Sequence, residues 1–261
     1  MLNWTAARPA LKSPPCEVPG LAAAAVPRER LTPTDREQMY DLLAAYFQNT
    51  SPAQFESDLA EKDTAILLRN PDHGRIVGFS TLMRLPVTIA GRSVIGFFSG
   101  DTIIARECWG SSLLGRLWLS SVFSERDRIS RQCPETLFYW FLISSGYKTW
   151  RYLPVFFLYY LPHPKLRASA FDHLVLRTLA TTKFGEQYDH DSGVVRFRRA
   201  SPLRPGVADV TEHRRRDPMV DFFVRMNPGH TEGDELAGLA PLSRSNLTAA
   251  GLRWFDAGAQ A

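Results

Sequence analysis

The residues with the clearest chemical potential lie in one stretch, 97–114, where an apolar run meets a turn and then a helix-forming segment. Gly110 and Ser111 stand at the turn, and apolar residues recur with helical spacing from there to about Arg128. The first N–H groups of a helix have no partners within it, and the helix dipole places partial positive charge there. Small residues let a ligand approach the backbone closely. The stretch therefore predicts a site for an anion such as a phosphate group.

Cys108, beside this turn, could act as a nucleophile, because the N-terminus of a helix lowers the pKa of a thiol. No histidine is near it in the sequence. Since buried cysteines are usually inert, a structural role is favoured.

Two later segments bring acidic residues and histidines together, namely Asp189-His190-Asp191 and the run from His230 through Glu232 to Asp234-Glu235. Either could form a metal loop or an acid–base site. Neither has the ligand spacing of a known metal motif, so solvated loops are favoured and no metal is expected.

The composition is that of a soluble globular protein, with 261 residues, 44% apolar residues, 22% charged residues and a formal net charge of +4. Lys and Arg are scattered rather than interleaved with aromatic residues, so nucleic-acid binding is not expected, whereas the mild basicity favours an anionic partner. No apolar run reaches the roughly 18 to 20 residues of a membrane span. Three cysteines without disulfide or zinc spacing indicate a reducing cytoplasm.

Signals for helices, strands and turns give an order of elements that indicates a mixed α/β domain. Residues 1–27, rich in proline and alanine, are expected to be extended or disordered. The predicted elements are helices capped by Thr32 and by Ser51-Pro52, strands over 64–69, 75–89 and 93–105, a helix over 111–128, a central strand over 137–143, helices over 148–158 and 168–184, a strand over 194–199, a helix over 217–226 and a last strand over 234–242.

With this order in place, the chain resembles the GCN5-related N-acyltransferase (GNAT) superfamily over roughly residues 28–160. Paired helices, a hairpin strand with Ile76-Val77-Gly78-Phe79, a fourth strand, the turn at Gly110, a helix and a fifth strand carry the resemblance. It implies a mixed, mostly antiparallel central sheet flanked by helices, with a C-terminal extension. Residues 28–261 would form one domain, with an acyl-donor half over 28–165 and a divergent acceptor-side half over 166–261.

The resemblance implies that the turn binds a pantetheine thioester as donor. In the family the turn reads Gln/Arg-x-x-Gly-x-Gly/Ala and holds the pyrophosphate of an acyl-CoA, whereas here one frame reads Glu107-x-x-Gly110-x-Ser112 and another places Cys108 at a glycine position. Phosphopantetheine on an acidic acyl carrier protein lacks the 3′-phospho-ADP and demands less of the turn, so the donor could be carrier-bound or a long fatty-acyl group. The positions implied in donor binding are Ile103, Ile104, Glu107, Cys108, Trp109, Gly110, Ser111, Ser112 and Ser145.

The resemblance also implies the base that takes the proton of the acceptor's ammonium group. Asp101 on the fourth strand is the first candidate, and the apolar residues Phe97, Phe98 and Ile103 would raise its pKa by desolvation. The alternative is an aspartate bonded to the backbone of a bulge. His230 or Glu232 is a reserve base, because late loops in this fold can lie over the acceptor site.

For the acid that protonates the leaving thiolate, the family uses the tyrosine of Asn-x-x-Ala-x-x-x-Tyr. Ser145 and Lys148 stand at the Asn and Ala positions of this pattern, and Tyr152 at its end. Tyr152 is therefore the candidate acid and Tyr147 the second choice, against the interpretation of a tyrosine at the edge of the core.

Aromatic residues cluster around the fifth strand, and Phe98, Trp140, Phe156 and Phe157 are expected to line a substrate pocket. They could be core, or they could line a tunnel for an acyl chain, at about 0.8 kcal/mol per buried methylene. The leading hypothesis is a biosynthetic N-acyltransferase acting by direct attack of an amine of a small molecule, amino acid or peptide. The alternative is a catalytically silent GNAT-like module that binds an acyl thioester or a partner protein.

Overall fold

An eight-stranded sheet runs through the part of the chain, residues 20–258, that the computed structural model describes. Its strands are β1 (Ala22–Pro27), β2 (Thr64–Arg69), β3 (Ile76–Ile89), β4 (Arg92–Ile104), β5 (Leu137–Ser144), β6 (Tyr188–Asp189), β7 (Val194–Val195) and β8 (Glu235–Pro241). They lie in the order β1-β2-β3-β4-β5-β8-β7-β6. Neighbours are antiparallel except β4 and β5, which are parallel. The predicted mixed, mostly antiparallel sheet is confirmed.

Helices cover both faces of this sheet. They are α1 (Pro33–Tyr46), α2 (Pro52–Ala60), α3 (Leu113–Ser130), α4 (Tyr147–Trp150), α5 (Tyr152–Phe156), α6 (Ala170–Phe184), α7 (Glu212–Arg215), α8 (Pro218–Met226) and α9 (Ala249–Gly258). Over residues 20–258, none of the helices combines the length and the apolar character needed to cross a membrane.

β5 lies at the centre of the core, because its side chains point alternately to two apolar clusters. Phe138, Trp140 and Leu142 pack with α3, α4 and α5 on one face. Tyr139 and Phe141 pack with α6 on the other face. The expectation of a central strand buried on both faces is therefore confirmed.

Capping residues determine where α1 and α2 begin. Thr32 caps α1, since its hydroxyl accepts from the N–H of Asp35 while the carboxylate of Asp35 accepts from the N–H of Thr32. Ser51 caps α2, with Pro52 at the first helical position. The caps orient both helices so that they pack as a third apolar cluster on β2 and β3.

Three elements differ from the sequence expectations. The helix predicted over 148–158 is divided after Trp150, because Pro154 lacks an N–H for the Trp150 carbonyl and its ring crowds that group. The strand predicted over 194–199 ends at Val195, and residues 197–199 leave the sheet to line a cavity. Ala22–Pro27 are extended, but as edge strand β1 paired with β2.

Candidate active site

The site is built where β4 and β5 separate. Their parallel pairing runs from Val94 opposite Leu137 to Ser99 opposite Leu142 and then stops. Beyond it, β4 continues beside β3, while β5 continues beside β8 through Ser144. The indole N–H of Trp140 donates to the Ser99 hydroxyl at 2.8 Å and so ties the two strands at their last pair. The gap between the strands beyond this bond opens into a large cavity.

A β-bulge in β4 sets the direction of Asp101. Ser80 is opposite Thr102 and Leu82 is opposite Ser99, so that Gly100 and Asp101 together face Thr81 alone. A Cβ on Gly100 would lie 2.6 Å from the Thr81 hydroxyl oxygen and 2.8 Å from Cε of Lys62. A larger residue at this position would displace the Thr81 or Lys62 side chain, and the bulge places the next residue, Asp101, at the cavity.

The cavity has a volume of about 950 Å³ and extends from the turn after β4 to the beginning of β8. Its lining includes Ile104 and Trp109 at one end and Asp101, Glu235 and Phe197 at the other. This volume lies within the usual range for small-molecule sites.

Asp101 is largely shielded from water and lines this cavity. Burial raises its pKa to about 7, the negative charge of Asp58 adds to the rise, and the charges of Lys62 and Lys183 oppose it. A carboxyl group with this pKa is ionised in a substantial fraction of molecules at neutral pH and can still accept a proton.

Glu235, the first residue of β8, is the second carboxyl group at this end. Burial raises its pKa to about 8, a hydrogen bond with the Ser145 side chain acts in the opposite direction, and the charges of Asp101 and Asp58 contribute to the rise. Leu236, its neighbour, is opposite Ser144 on β5. Asp101 and Glu235 therefore flank the end of β5 from the two adjacent strands.

Two lysines balance the acidic groups. Lys62 is buried, and its ammonium group lies 2.7 Å from Oδ2 of Asp58 and 5.7 Å from the ring centre of Phe98. Lys183, on α6, pairs with Glu61 and lies 4.0 Å from Oδ1 of Asp58. The carboxylates of Asp58 and Glu61 are therefore already paired, and Asp101 and Glu235 line the cavity.

Of the two tyrosines proposed as the acid, only Tyr152 lines a cavity. Tyr152 lines the large cavity and a second, small cavity of about 20 Å³, and burial raises its pKa. Its ring stacks on Phe156 at 5.4 Å. Tyr147 is buried in the core and lines neither cavity.

His230 lies outside both cavities. Its Nδ1 is 3.0 Å from the carbonyl oxygen of Asn227, and its ring packs on Phe223. Glu232 beside it is exposed. Of this acidic segment, Glu235 is the residue that reaches the cavity, and among residues 20–258 no group of three or more His, Cys, Asp or Glu side chains could hold a metal ion.

The turn after β4 presents Trp109 rather than small residues to the cavity. The Trp109 indole N–H donates to the carbonyl of Ile104 at 2.8 Å. The Lys148 ammonium lies 3.5 Å from the Trp109 ring centre, and the Arg106 guanidinium lies 5.1 Å from it. Positive charge therefore gathers at this end of the cavity.

Five of the predicted donor positions are not part of the cavity lining, namely Glu107, Cys108, Gly110, Ser111 and Ser112. Gly110, Ser111 and Ser112 lead into α3, and the buried hydroxyl of Ser112 has no hydrogen-bond partner. Burial, reinforced by the charge of Glu107, raises the pKa of the Cys108 thiol. An inert thiol is expected from this shift, in line with the structural role that the sequence favours.

The predicted pocket aromatics also divide. Phe98 lines the large cavity, whereas Trp140 and Phe156 line the small one, and Phe157 lines neither. Ile103, Ile104 and Ser145 from the donor set line the large cavity.

Sequence reasoning missed the roles of Lys62, Lys183 and Asp58, and it favoured a solvated loop for the segment that contains Glu235. The first three come from separate elements and have no shared motif. Glu235 had a usable signal, because an acidic residue at the start of an apolar strand marks the end of that strand, where side chains can reach a cavity. To place Glu235 near Asp101, one must also know which strand pairs with β8, and the sequence does not give that pairing.

No protein-family model matches the chain, and no curated protein matches it in sequence. Several solved structures are similar in fold. One is a conserved protein from Enterococcus faecalis V583 described as a probable N-acyltransferase, with 13% identity over 51% of this chain and 31% of its own, at a TM-score of 0.38.

Two further similar structures carry coenzyme A species. A GNAT family N-acetyltransferase from Escherichia coli in complex with CoA has 18% identity over 51% of this chain and 69% of its own, at a TM-score of 0.35. The N-myristoyltransferase of Saccharomyces cerevisiae with bound myristoyl-CoA has 11% identity over 51% of this chain and 31% of its own, also at 0.35. This chain thus spans 31% of the length of the first and third proteins. The strand order, the parallel β4–β5 pair and the turn that leads into α3 match the fold expected from the sequence.

Proposed function

We propose that this chain, whose strand order, separating β4–β5 pair and turn-to-helix unit are those of the GNAT fold, is an N-acyltransferase. It moves an acyl group from a pantetheine thioester to an amine of a small molecule, amino acid or peptide by direct attack. The observation that supports this most strongly is Asp101, which stands on the β4 bulge beside a cavity of about 950 Å³ with a pKa raised to about 7.

Asp101 is the base in this proposal. A primary amine is protonated at neutral pH and becomes a nucleophile only after it loses a proton. The partly buried carboxylate attracts the ammonium group and, because its pKa is near neutral, accepts the proton with little energetic penalty. Tyr152 is the acid implied by the family resemblance, and its position in the lining of both cavities is compatible with that role.

The pantetheine arm would lie in the gap between β4 and β5, since unpaired backbone groups of separating strands are available to its amides. Lys148, Arg106 and the N-terminus of α3 supply positive charge for the phosphate groups. Glu107 opposes them, so the turn is a weaker phosphate site than the family pattern. A donor on an acidic acyl carrier protein therefore remains part of the proposal.

The acyl group would follow the apolar lining of the large cavity. The small cavity at Trp140 and Phe156 holds about 20 Å³, roughly one water molecule, and a longer chain enters it only if Phe156 moves. A medium or long fatty-acyl chain is therefore proposed to lie along Phe98, Ile104 and Phe197.

The direct test is release of free thiol from acetyl-CoA, long-chain acyl-CoA and acylated carrier protein, each with and without a panel of primary amines. We expect thiol release that depends on the amine. Calorimetry with the same donors ranks them, and tight binding of acetyl-CoA alone would exclude the carrier-bound and long-chain donors.

The second candidate function is a silent module that binds a thioester or a partner protein. It is favoured by the contacts of Arg106 with the Gly206 carbonyl at 3.1 Å and of Lys148 with the Val207 carbonyl at 2.5 Å, which occupy both cations at the donor end. Donor binding without amine-dependent thiol release would support this alternative.

A further inference from the structure

We infer that Glu235 is the general acid of this site and protonates the departing thiolate, while Asp101 is the base. The inference rests on the proposed function and assigns the acid to β8 of the acceptor-side half instead of to Tyr152.

The geometry places Glu235 and Asp101 on one cavity from opposite sides of β5. Ser99 on β4 pairs with Leu142, and Leu236 on β8 pairs with Ser144. Asp101 is two residues past Ser99, and Glu235 directly precedes Leu236. Both residues line the same cavity.

Charged and titratable groups reach this pair from every element around it. They are Asp58 of α2, Glu61 and Lys62 directly after this helix, Lys183 of α6, Tyr152 of α5, and Arg198 and Arg199 in the cavity lining. Lys62 is paired with Asp58 and Lys183 with Glu61, and Arg198 lies 3.6 Å from Glu186. Ser145 is the partner that acts on Glu235 through a hydrogen bond. Glu235 is therefore left in a setting that favours its neutral form.

Protonation then distinguishes the two carboxyl groups. The positive charges of Lys62 and Lys183 favour the ionised form of Asp101, whereas the charges that act on Glu235, those of Asp101 and Asp58, are negative and favour its neutral form. Two carboxyl groups whose environments separate their pKa values are suited to opposite roles as base and acid. A thiol has an ordinary pKa of about 8.5, which a carboxyl group at about 8 matches. Burial raises the pKa of Tyr152 above its ordinary value, so its proton is harder to transfer.

The proton balance closes with these two groups. The Asp101 carboxylate takes one proton from the ammonium group, and the nitrogen lone pair forms the C–N bond at the thioester carbonyl. The C–S bond breaks with its electron pair on sulfur, and the Glu235 carboxyl gives its proton to that sulfur. The second proton of the acylated nitrogen returns to Glu235, and Asp101 releases its proton to solvent. The sum is one amide, one thiol and one proton.

The test is the pH profile of kcat/KM for amine-dependent thiol release. The unmodified protein should give a bell with an acidic limb near pH 7 and an alkaline limb near pH 8. Glu235→Gln should remove the alkaline limb and lower the rate at least about tenfold, since general acid catalysis contributes on the order of 10²-fold or more. Tyr152→Phe should keep the alkaline limb, and Glu232→Gln, an exposed matched control three residues upstream, should leave the whole profile unchanged.

Ser145→Ala provides a milder variant if Glu235→Gln does not fold. Loss of the hydrogen bond that favours ionised Glu235 should move the alkaline limb to higher pH. An alkaline limb that persists in Glu235→Gln, or disappears in Tyr152→Phe, overturns the inference.

A protein without amine-dependent thiol release would contradict the proposed function itself. In that case the protonation state of Glu235 is measured by carbon-13 NMR of its side-chain carboxyl, and Glu235→Gln assigns the signal. An ionised Glu235 at pH 7 overturns the inference independently of turnover, and a protonated one supports it.

Discussion

The two ends of the large cavity are built in different ways. At the carboxyl end, Asp101, Glu235 and the lysine pairs come from β4, β8, α2 and α6, which meet only in the folded protein. At the donor end, Trp109 lies on the short turn that follows Ile104, the last residue of β4, and Lys148 lies on α4, directly after β5. In the proposed reaction, proton transfer would therefore depend on contacts between distant segments, and donor binding largely on local chain geometry.

The largest effect is expected at the carboxyl end. Asp101→Asn removes the base while keeping the shape of the side chain, so thiol release should fall by about 10² or more. The exposed Asp41→Asn on α1 is the matched control. Full activity in Asp101→Asn with an unchanged circular dichroism spectrum would exclude Asp101 as the base.

Lys62→Met should act on the same end through charge. The ammonium group favours the ionised form of Asp101, so its loss should raise the pKa of Asp101 further and move the acidic limb to higher pH. Asp58 would also lose its 2.7 Å partner, which should lower the free energy of unfolding by about 1–2 kcal/mol because Asp58 is partly exposed to water. Urea unfolding and the pH profile measure both effects, with the exposed Lys165→Met as control.

Lys148→Ala should separate the two ends. Its ammonium group lies at the donor end beside Trp109, so its loss should raise the KM for the donor about tenfold, roughly the value of one charged contact, with kcat nearly unchanged. Arg253→Ala, exposed on α9, is the control. A fall in kcat alone would place Lys148 with the proton-transfer groups instead.

The last expected effect is on the free energy of unfolding, which should change with pH. The folded-state pKa values of Asp101 and Glu235 are raised, so the folded protein binds more protons than the unfolded chain between about pH 4 and 8. Stability from this pair is present below the unfolded pKa and lost as the pH rises through about 7 and 8. The decrease should vanish in Asp101→Asn/Glu235→Gln, as measured by urea unfolding across this range.

The same contrast explains what the sequence could predict. Caps and periodicity are local, so Thr32, Ser51-Pro52 and the apolar run of β5 predicted their elements correctly. Pro154 divided a predicted helix because the crowding of the Trp150 carbonyl outweighs the helical pattern around it.

The carboxyl end was only half predictable. Asp101 stands within the stretch that carries the family resemblance, and the bulge at Gly100 gives it its direction. Glu235, Lys62 and Lys183 become neighbours only through the strand order β4-β5-β8 and the packing of α2 and α6. Periodicity along one segment carries no information on such pairings.

The position of β8 also bears on how the protein is made. β5, rich in aromatic residues, is bordered by β4 on one side and, on the other, by a strand that the ribosome delivers only after residue 234. Until then the nascent chain presents an open, apolar strand edge, the kind of surface on which chains aggregate and chaperones act. The strand that brings the second carboxyl group is thus also the one that closes this edge, so completion of the sheet and completion of the site occur together.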